Sequence, residues 1–250
     1  MAENVLMPEM SWTEVEHSLK DRPIALLPVG NTEAHGPHLP IATDTVIAIE
    51  MARRTAVKLK GRGLHALIAP PVTFCVSELG TAFPGTVSLP PDTAVALVRD
   101  VCASLSKQFR AVALVNINQE PANLEALKRA AEEAKKAGAS VCFTEFQKKR
   151  WVDRLGAAFS AGDHAGSFET SLMLACASAS VREKERISVA PMDGLAGALK
   201  KGAKSFADAG GEDAYFGDPT AASVEEGEAH FTTLADILTL SIMEHLGSKA

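Results

Sequence analysis

Four short apolar runs, Ile24–Val29, Ala66–Ala69, Ala111–Ile117 and Val141–Phe143, recur along this chain, with segments of helical spacing between and after them. Strand, loop and helix in repetition predict a mostly parallel sheet covered by helices on both faces, an α/β/α sandwich of three layers. The helical segments are distinct. Ser11-x-x-Glu14 is a capping box opening a helix to about Lys20. A second helix spans Thr45 to Lys60, with Asp44 near its start and Gly61 after its end. From Pro91 to Phe109, the residues Val95, Val98, Cys102, Leu105 and Phe109 fall on one face. The next helix turns Leu124, Leu127, Ala131 and Ala134 inward, another begins near Phe168, and the last runs from Ser223 to His245. No repeat or linker divides the sequence, so one domain over residues 1–250 is expected. Gly194 to Gly217, rich in Gly, Ala and Asp, reads as a flap rather than a boundary.

The polar segments Gly30–Asp44, Pro70–Thr86 and Asn118–Asn123 directly follow strand-like runs. In open parallel sheets, ligands bind beyond the carboxyl ends of the strands, so these three loops are expected to converge on one crevice. The first loop is the richest chemically. Glu33 and His35 lie two residues apart, so in an extended segment both side chains face the same way. Gly36-Pro37 then turns the chain and Pro40 restricts it, lowering the entropy cost of fixing ligands. Asp44 can return to the same point and, with two oxygens, bridge two cations. The plainer reading makes Asp44 the N-cap of the following helix and His35 an ordinary loop histidine.

The pattern Pro28-Val29-Gly30-x-x-Glu33-x-His35-Gly36-Pro37-His38-Leu39-Pro40-x-x-Thr43-Asp44 resembles the signature of the creatininase family of metal-dependent hydrolases. Three further segments resemble that family in the same order: Phe83-Pro84-Gly85-Thr86, then His164-Ala165-Gly166-x-x-Glu169-Thr170-Ser171, then Phe216-Gly217-Asp218-Pro219 with Glu226-Gly227. The resemblance spans almost the entire chain. It implies the α/β/α fold, often assembled as a hexamer, and two divalent metals bridged by an aspartate and a hydroxide. Glu33 would bind one metal, His35 the other, and Asp44 both. A divalent cation lowers the pKa of bound water and polarises a carbonyl. The mixed nitrogen and oxygen donors suit zinc, manganese or iron alike. His164 resembles the family's catalytic histidine, placed to move a proton to the leaving group. Glu169 reads as a ligand, as a partner orienting one, or as a first-turn glutamate favoured by the helix dipole. His38 and Thr43 read as structural or as partners orienting a ligand, and His17, His65, His230 and His245 as ordinary surface or core positions.

The chain departs from the family after its third strand. Family members usually carry Asn-Gly-His there, the histidine being a ligand; this chain has Asn116-Ile117-Asn118-Gln119-Glu120-Pro121-Ala122-Asn123. Anchored on Asn116, the alignment puts Asn118 in place of the histidine and Glu120 on the glutamate that creatininase-like members carry two residues later. Anchored on Asn123, it puts Glu120 itself in place of the histidine. Both make Glu120 the expected ligand, with Asn118 as its companion. Glu78-Leu79-Gly80-Thr81 stands where relatives often have an upstream histidine, and Ser167 where many have glutamate. The expected activity is hydrolysis of a small cyclic or linear amide. The alternatives are ring opening of a keto-cyclitol at a C–C bond on the same site, and a family member that binds a ligand without turnover.

Composition narrows the partners. With 25 basic against 31 acidic residues and a net charge of −6, no basic stripe suits nucleic acid or an anionic membrane. The four cysteines, Cys75, Cys102, Cys142 and Cys176, lie far apart without CxxC spacing, and read as free thiols of a reducing compartment. Met1-Ala2-Glu3-Asn4 carries no signal-peptide pattern, and no apolar run approaches membrane-span length. The expectation is a cytoplasmic homo-oligomer acting on a small molecule. No P-loop or GxGxxG follows any strand, which argues against a kinase or dinucleotide enzyme.

Overall fold

The computed structural model describes residues 5–160 and 163–247; Met1–Asn4, read above for a targeting signal, lie outside them. In chain order the elements are α1 (Trp12–Leu19), β1 (Ile24–Val29), α2 (Thr43–Lys60), β2 (Ala66–Ile68), α3 (Pro91–Leu105), β3 (Ala111–Asn116), α4 (Pro121–Lys136), β4 (Val141–Phe143), α5 (Lys149–Leu155), α6 (Ala157–Ser160), α7 (Ser167–Ala177), α8 (Glu183–Arg186), α9 (Leu195–Lys200) and α10 (Val224–His245). The four strands form one parallel sheet in the order β2-β1-β3-β4.

Alternate strand residues feed two cores, as a pleated strand requires. Ile24, Leu26, Ile68, Ala113 and Val115 pack with α2, α7 and α10 on one face. Ala25, Leu27, Val29, Leu67, Val112 and Leu114 pack with α3 and α4 on the other. Both faces are covered, which is why the strands read as unbroken apolar runs. Among the described residues, no helix is long and apolar enough to cross a membrane.

Local signals match the elements closely. Ser11 caps α1 with the reciprocal Glu14 contact expected of a capping box, and Ser223 caps α10 by accepting from the Glu226 amide. The third helix ends at Leu105, short of Phe109, because the chain must turn for the Arg110 amide to donate to Pro23 at the head of β1. The second helix starts at Thr43, two residues earlier than expected. Its N-cap is Ala42, without a side-chain cap, so Asp44 lies in the first turn and is not the N-cap.

The order 2-1-3-4 reverses direction at β1. Beyond the carboxyl ends of β1 and β3 lies the crevice where doubly wound sheets bind ligands. The loop after β1 and the loop after β3 both open into it.

Candidate metal centre

The loop after β1 is held from several sides by the segment after β2. Asn31 Nδ2 donates to the Val76 carbonyl and to Ser77 Oγ, both at 2.6 Å. Thr32 Oγ1 donates to the Thr73 carbonyl, and the Ala34 amide to Thr86 Oγ1. Thr86, the last residue of the Phe-Pro-Gly-Thr segment, thus fixes the backbone between Glu33 and His35. Gly36 turns the chain at φ +66°, and a Cβ there would sit 2.8 Å from the His38 ring.

This scaffold delivers Glu33, His35 and Asp44 to one point, each at most 1% exposed. His35 Nδ1 donates to the Glu33 carbonyl at 3.0 Å, which turns Nε2 inward. Nε2 lies 3.4 Å from Asp44 Oδ1 and 3.9 Å from Glu169 Oε2. Glu33 Oε1, His35 Nε2 and Asp44 Oδ1 are buried with no hydrogen-bond partner. Leaving such an atom unsatisfied costs about 1–3 kcal/mol. Donor atoms of His35, Asp44 and Glu169 fall within 4.8 Å of one another, and so do those of Glu33, His35 and His164.

The electrostatics point the same way. Burial, reinforced by the Asp44 charge, pushes Glu33 well above the ordinary carboxylate range. Burial lifts Glu169 to about 7 against the pull of His35. At His35 burial works downward, yet the carboxylates of Asp44, Glu169 and Glu33 outweigh it and hold the imidazole up at about 10. A buried cluster of three carboxylates that draws positive charge onto its one histidine, with three donor atoms unpartnered, fits a divalent cation.

His164 stands beside this cluster. Its Nε2 donates to the Ala34 carbonyl at 2.7 Å, so Nδ1 carries the lone pair. Its ring stacks on Phe206 (centroids 4.2 Å apart) and leans on His35 (4.4 Å). Burial and then the neighbouring His35 lower its pKa to about 3, keeping it neutral. The next residue, Ala165, adopts φ +52°, a conformation costly for a residue with a Cβ. Glu169 offsets that cost by accepting from the Ala165 amide at 2.7 Å.

Asn118 and Glu120 lie at the cluster in different ways. Asn118 Nδ2 donates to Glu33 Oε2 (2.8 Å) and Asp44 Oδ2 (3.0 Å), while its Oδ1 accepts from the Glu120 amide (2.9 Å). The Glu120 carboxylate turns to the backbone amides of Glu78 and Leu79. Burial raises it to about 7, against those two hydrogen bonds. Glu120 still lines the cavity in front of the cluster, whose volume is about 280 Å³.

That cavity was only partly legible from the sequence. Its apolar wall comes from Phe159, Phe168, Leu195, Leu199 and Phe206, two of them on α9, within the stretch read as a flap. Asp163 also lines it, lifted to about 6 by burial and by Asp193 and Asp218. The side chain of Asp163 packs against Gly217, where any Cβ would collide with it. Phe206, an aromatic in a Gly/Ala/Asp-rich stretch, is the sequence signal for the wall.

His38 is structural, as its sequence context suggested. It is fully buried, with Nε2 3.0 Å from both the Ala165 carbonyl and Thr170 Oγ1. Burial lowers its pKa from 6.5 to about 4, so between those values the unfolded chain binds a proton that the folded one refuses. Its contribution is present above pH 6.5 and is lost as pH falls towards 4, about 3 kcal/mol in all. Urea unfolding of the wild type and His38→Gln at pH 7 and pH 4 should show the variant losing less stability on acidification by about that amount. Equal losses would assign the acid sensitivity to other groups.

Comparison with known proteins places the chain in a family. The family model "Creatininase: Creatinine amidohydrolase" matches residues 8–242. A mycofactocin precursor peptide peptidase from Mycobacterium ulcerans (strain Agy99) is 34% identical over 226 residues, covering 86% of this chain and 82% of that protein. A creatinine amidohydrolase from Pseudomonas putida is 28% identical over 196 residues, covering 70% and 73%. Among solved structures, a manganese form of creatininase superposes with a TM-score of 0.72 at 23% identity, covering 97% of this chain and 98% of the other. The α/β/α sandwich is thereby that of the creatininases, and the chain belongs to the creatininase family of metal-dependent hydrolases acting on C–N amide bonds.

Proposed function

We propose that this protein hydrolyses an amide bond in a small peptide or amide carrying an apolar group next to the scissile carbonyl. The observation that carries this reading is the trio Glu33 Oε1, His35 Nε2 and Asp44 Oδ1, buried without hydrogen bonds beside a neutral His164, with Glu33 and His164 opening onto a cavity that has one apolar wall. Glu33, His35, Asp44 and Glu169 would hold divalent metal, as zinc, manganese or iron, in up to two overlapping positions. Solved creatininases include manganese and zinc forms. The bound cation supplies Lewis acidity, polarising the amide carbonyl and acidifying water.

The chain's own residues do the remainder. His164 accepts a proton at Nδ1 and returns it to the departing nitrogen, while the Ala34 carbonyl holds Nε2–H and so fixes the ring. Glu169 braces the Ala165 turn that presents His164 and also faces His35. Phe206 covers the imidazole and excludes water from it. Glu120 and Asn118 order the third-strand loop around the carboxylates.

The substrate reading rests on the lining. Among the described residues it contains Glu33, Glu120, Asp163 and Glu169 but no lysine or arginine. A ligand carboxylate held away from the metal would meet like charge in Glu120 and Asp163, whereas neutral and apolar groups meet Leu195, Leu199 and Phe206. The relatives' names, a peptidase and an amidohydrolase, support C–N over C–C cleavage. The homo-oligomeric, cytoplasmic setting belongs to the same proposal, and sedimentation analysis checks the assembly.

The test is a chelator-stripped protein reloaded separately with zinc, manganese and iron(II), then offered small peptides, amides, lactams, formamides and keto-cyclitols. Hydrolysis of amides should appear only with metal and favour apolar, uncharged substrates. Opening of keto-cyclitols alone, or turnover unaffected by stripping, would overturn the reading.

A further inference from the structure

The two donor groups are not equivalent, and the difference lies in which way Asn118 faces. Its Nδ2 spans the gap between Glu33 Oε2 and Asp44 Oδ2, and its Oδ1 accepts from the Glu120 amide. This orientation gives each of its atoms a complementary partner. Reversed, the amide oxygen would face two carboxylate oxygens and its NH₂ would face an N–H. The orientation is also supported from behind. Asn123 Nδ2 donates to Asn116 Oδ1, and Asn116 Nδ2 donates to the Asn118 carbonyl at 2.7 Å, which fixes the backbone carrying the amide. An NH₂ group has no lone pair to give a metal. On the Glu33 side of Asp44 the chain therefore places a neutral hydrogen-bond donor that ties the two carboxylates together.

The His35 side is different. There Asp44 Oδ1 and His35 Nε2 face each other at 3.4 Å without a hydrogen bond, and Glu169 Oε2 lies within reach. The geometry points to one tight cation site, formed by His35, Asp44 and Glu169, and one weak site beside Glu33 that a cation enters only by displacing the Asn118 amide. Asn118 is a positioning residue here: it holds Glu33 and Asp44 in register without ligating. This inference rests on the metal-centre reading above.

The experiment titrates the stripped full-length protein with manganese(II), followed by calorimetry and by electron paramagnetic resonance. One equivalent should bind tightly with the spectrum of an isolated ion. The second should bind on the order of 100-fold more weakly, with spin coupling appearing only as it fills. Asn118→His should bring the second affinity to within about tenfold of the first. Glu33→Gln should abolish the second equivalent and leave the first intact, and Glu169→Gln should weaken the first, with circular dichroism confirming that each variant folds. Two equivalents of equal affinity in the wild type would overturn the inference while leaving the metal centre standing. An unchanged ratio in Asn118→His, or loss of the tight ion in Glu33→Gln, would overturn it too. No binding at all would instead sink the metal centre itself.

Discussion

Asp44→Asn is expected to abolish hydrolysis and to remove the stabilisation that added metal gives the folded protein. Asp44 turns one oxygen to each end of the cluster. Oδ1 faces His35 Nε2 at 3.4 Å, and Oδ2 faces the Asn118 amide at 3.0 Å. An asparagine must present its NH₂ to one of these, a donor against a metal ligand or a donor against a donor. Metal-free, the variant relieves the repulsion that Asp44 exerts on Glu33, so its folding need not suffer. Thermal melts separate the two effects. In the wild type, metal at about 100 times its dissociation constant adds about 2.7 kcal/mol, whereas the variant should be insensitive to metal. A variant that keeps full activity and a metal-dependent melting temperature would remove Asp44 from the centre.

His164→Ala should retain metal and lose turnover by about 10²- to 10⁴-fold, the range associated with a positioned proton-transfer group. The imidazole is neutral, its Nε2–H is committed to Ala34, and Nδ1 is free to take a proton. The loss should fall on kcat rather than KM, because the ring is needed when the proton moves. Added imidazole should recover part of the rate, since the space beside Phe206 then accepts a free ring. If the metal leaves with the side chain, His164 belongs among the ligands with Glu33 and His35, which its donor atom approaches within 4.8 Å.

Much of this was legible before any coordinates. The strands and the longer helices declared themselves through their periodicities, because burial on both sheet faces leaves apolar runs and burial on one helix face leaves spacings of three and four. The short α5, α6, α8 and α9 carry too few turns to show one. Glu33, His35 and Asp44 were readable because a short Pro/Gly-bounded loop holds them at fixed separations. The face that Asn118 turns inward was not, since residue type alone does not say whether an amide offers its oxygen or its nitrogen. Nor was the tether from Glu120 to the Glu78 and Leu79 amides, which depends on a loop some 40 residues away in sequence. Phe206 reaches His164 only through tertiary folding, and its own neighbourhood looked like an unstructured flap.

The way the ligand loop is fastened has a further meaning for how such a protein diversifies. The loop that carries Glu33 and His35 is fastened through Asn31, Thr32 and Ala34 to Thr73, Val76, Ser77 and Thr86, whereas the cavity wall around α9 and Phe206 meets that scaffold through backbone bonds such as Phe206 to Leu79 and Gly36 to Ala214. Backbone bonds tolerate exchange of side chains. The wall can therefore be rewritten, by drift or by a designer grafting loops, while the chemical engine beneath it keeps its alignment.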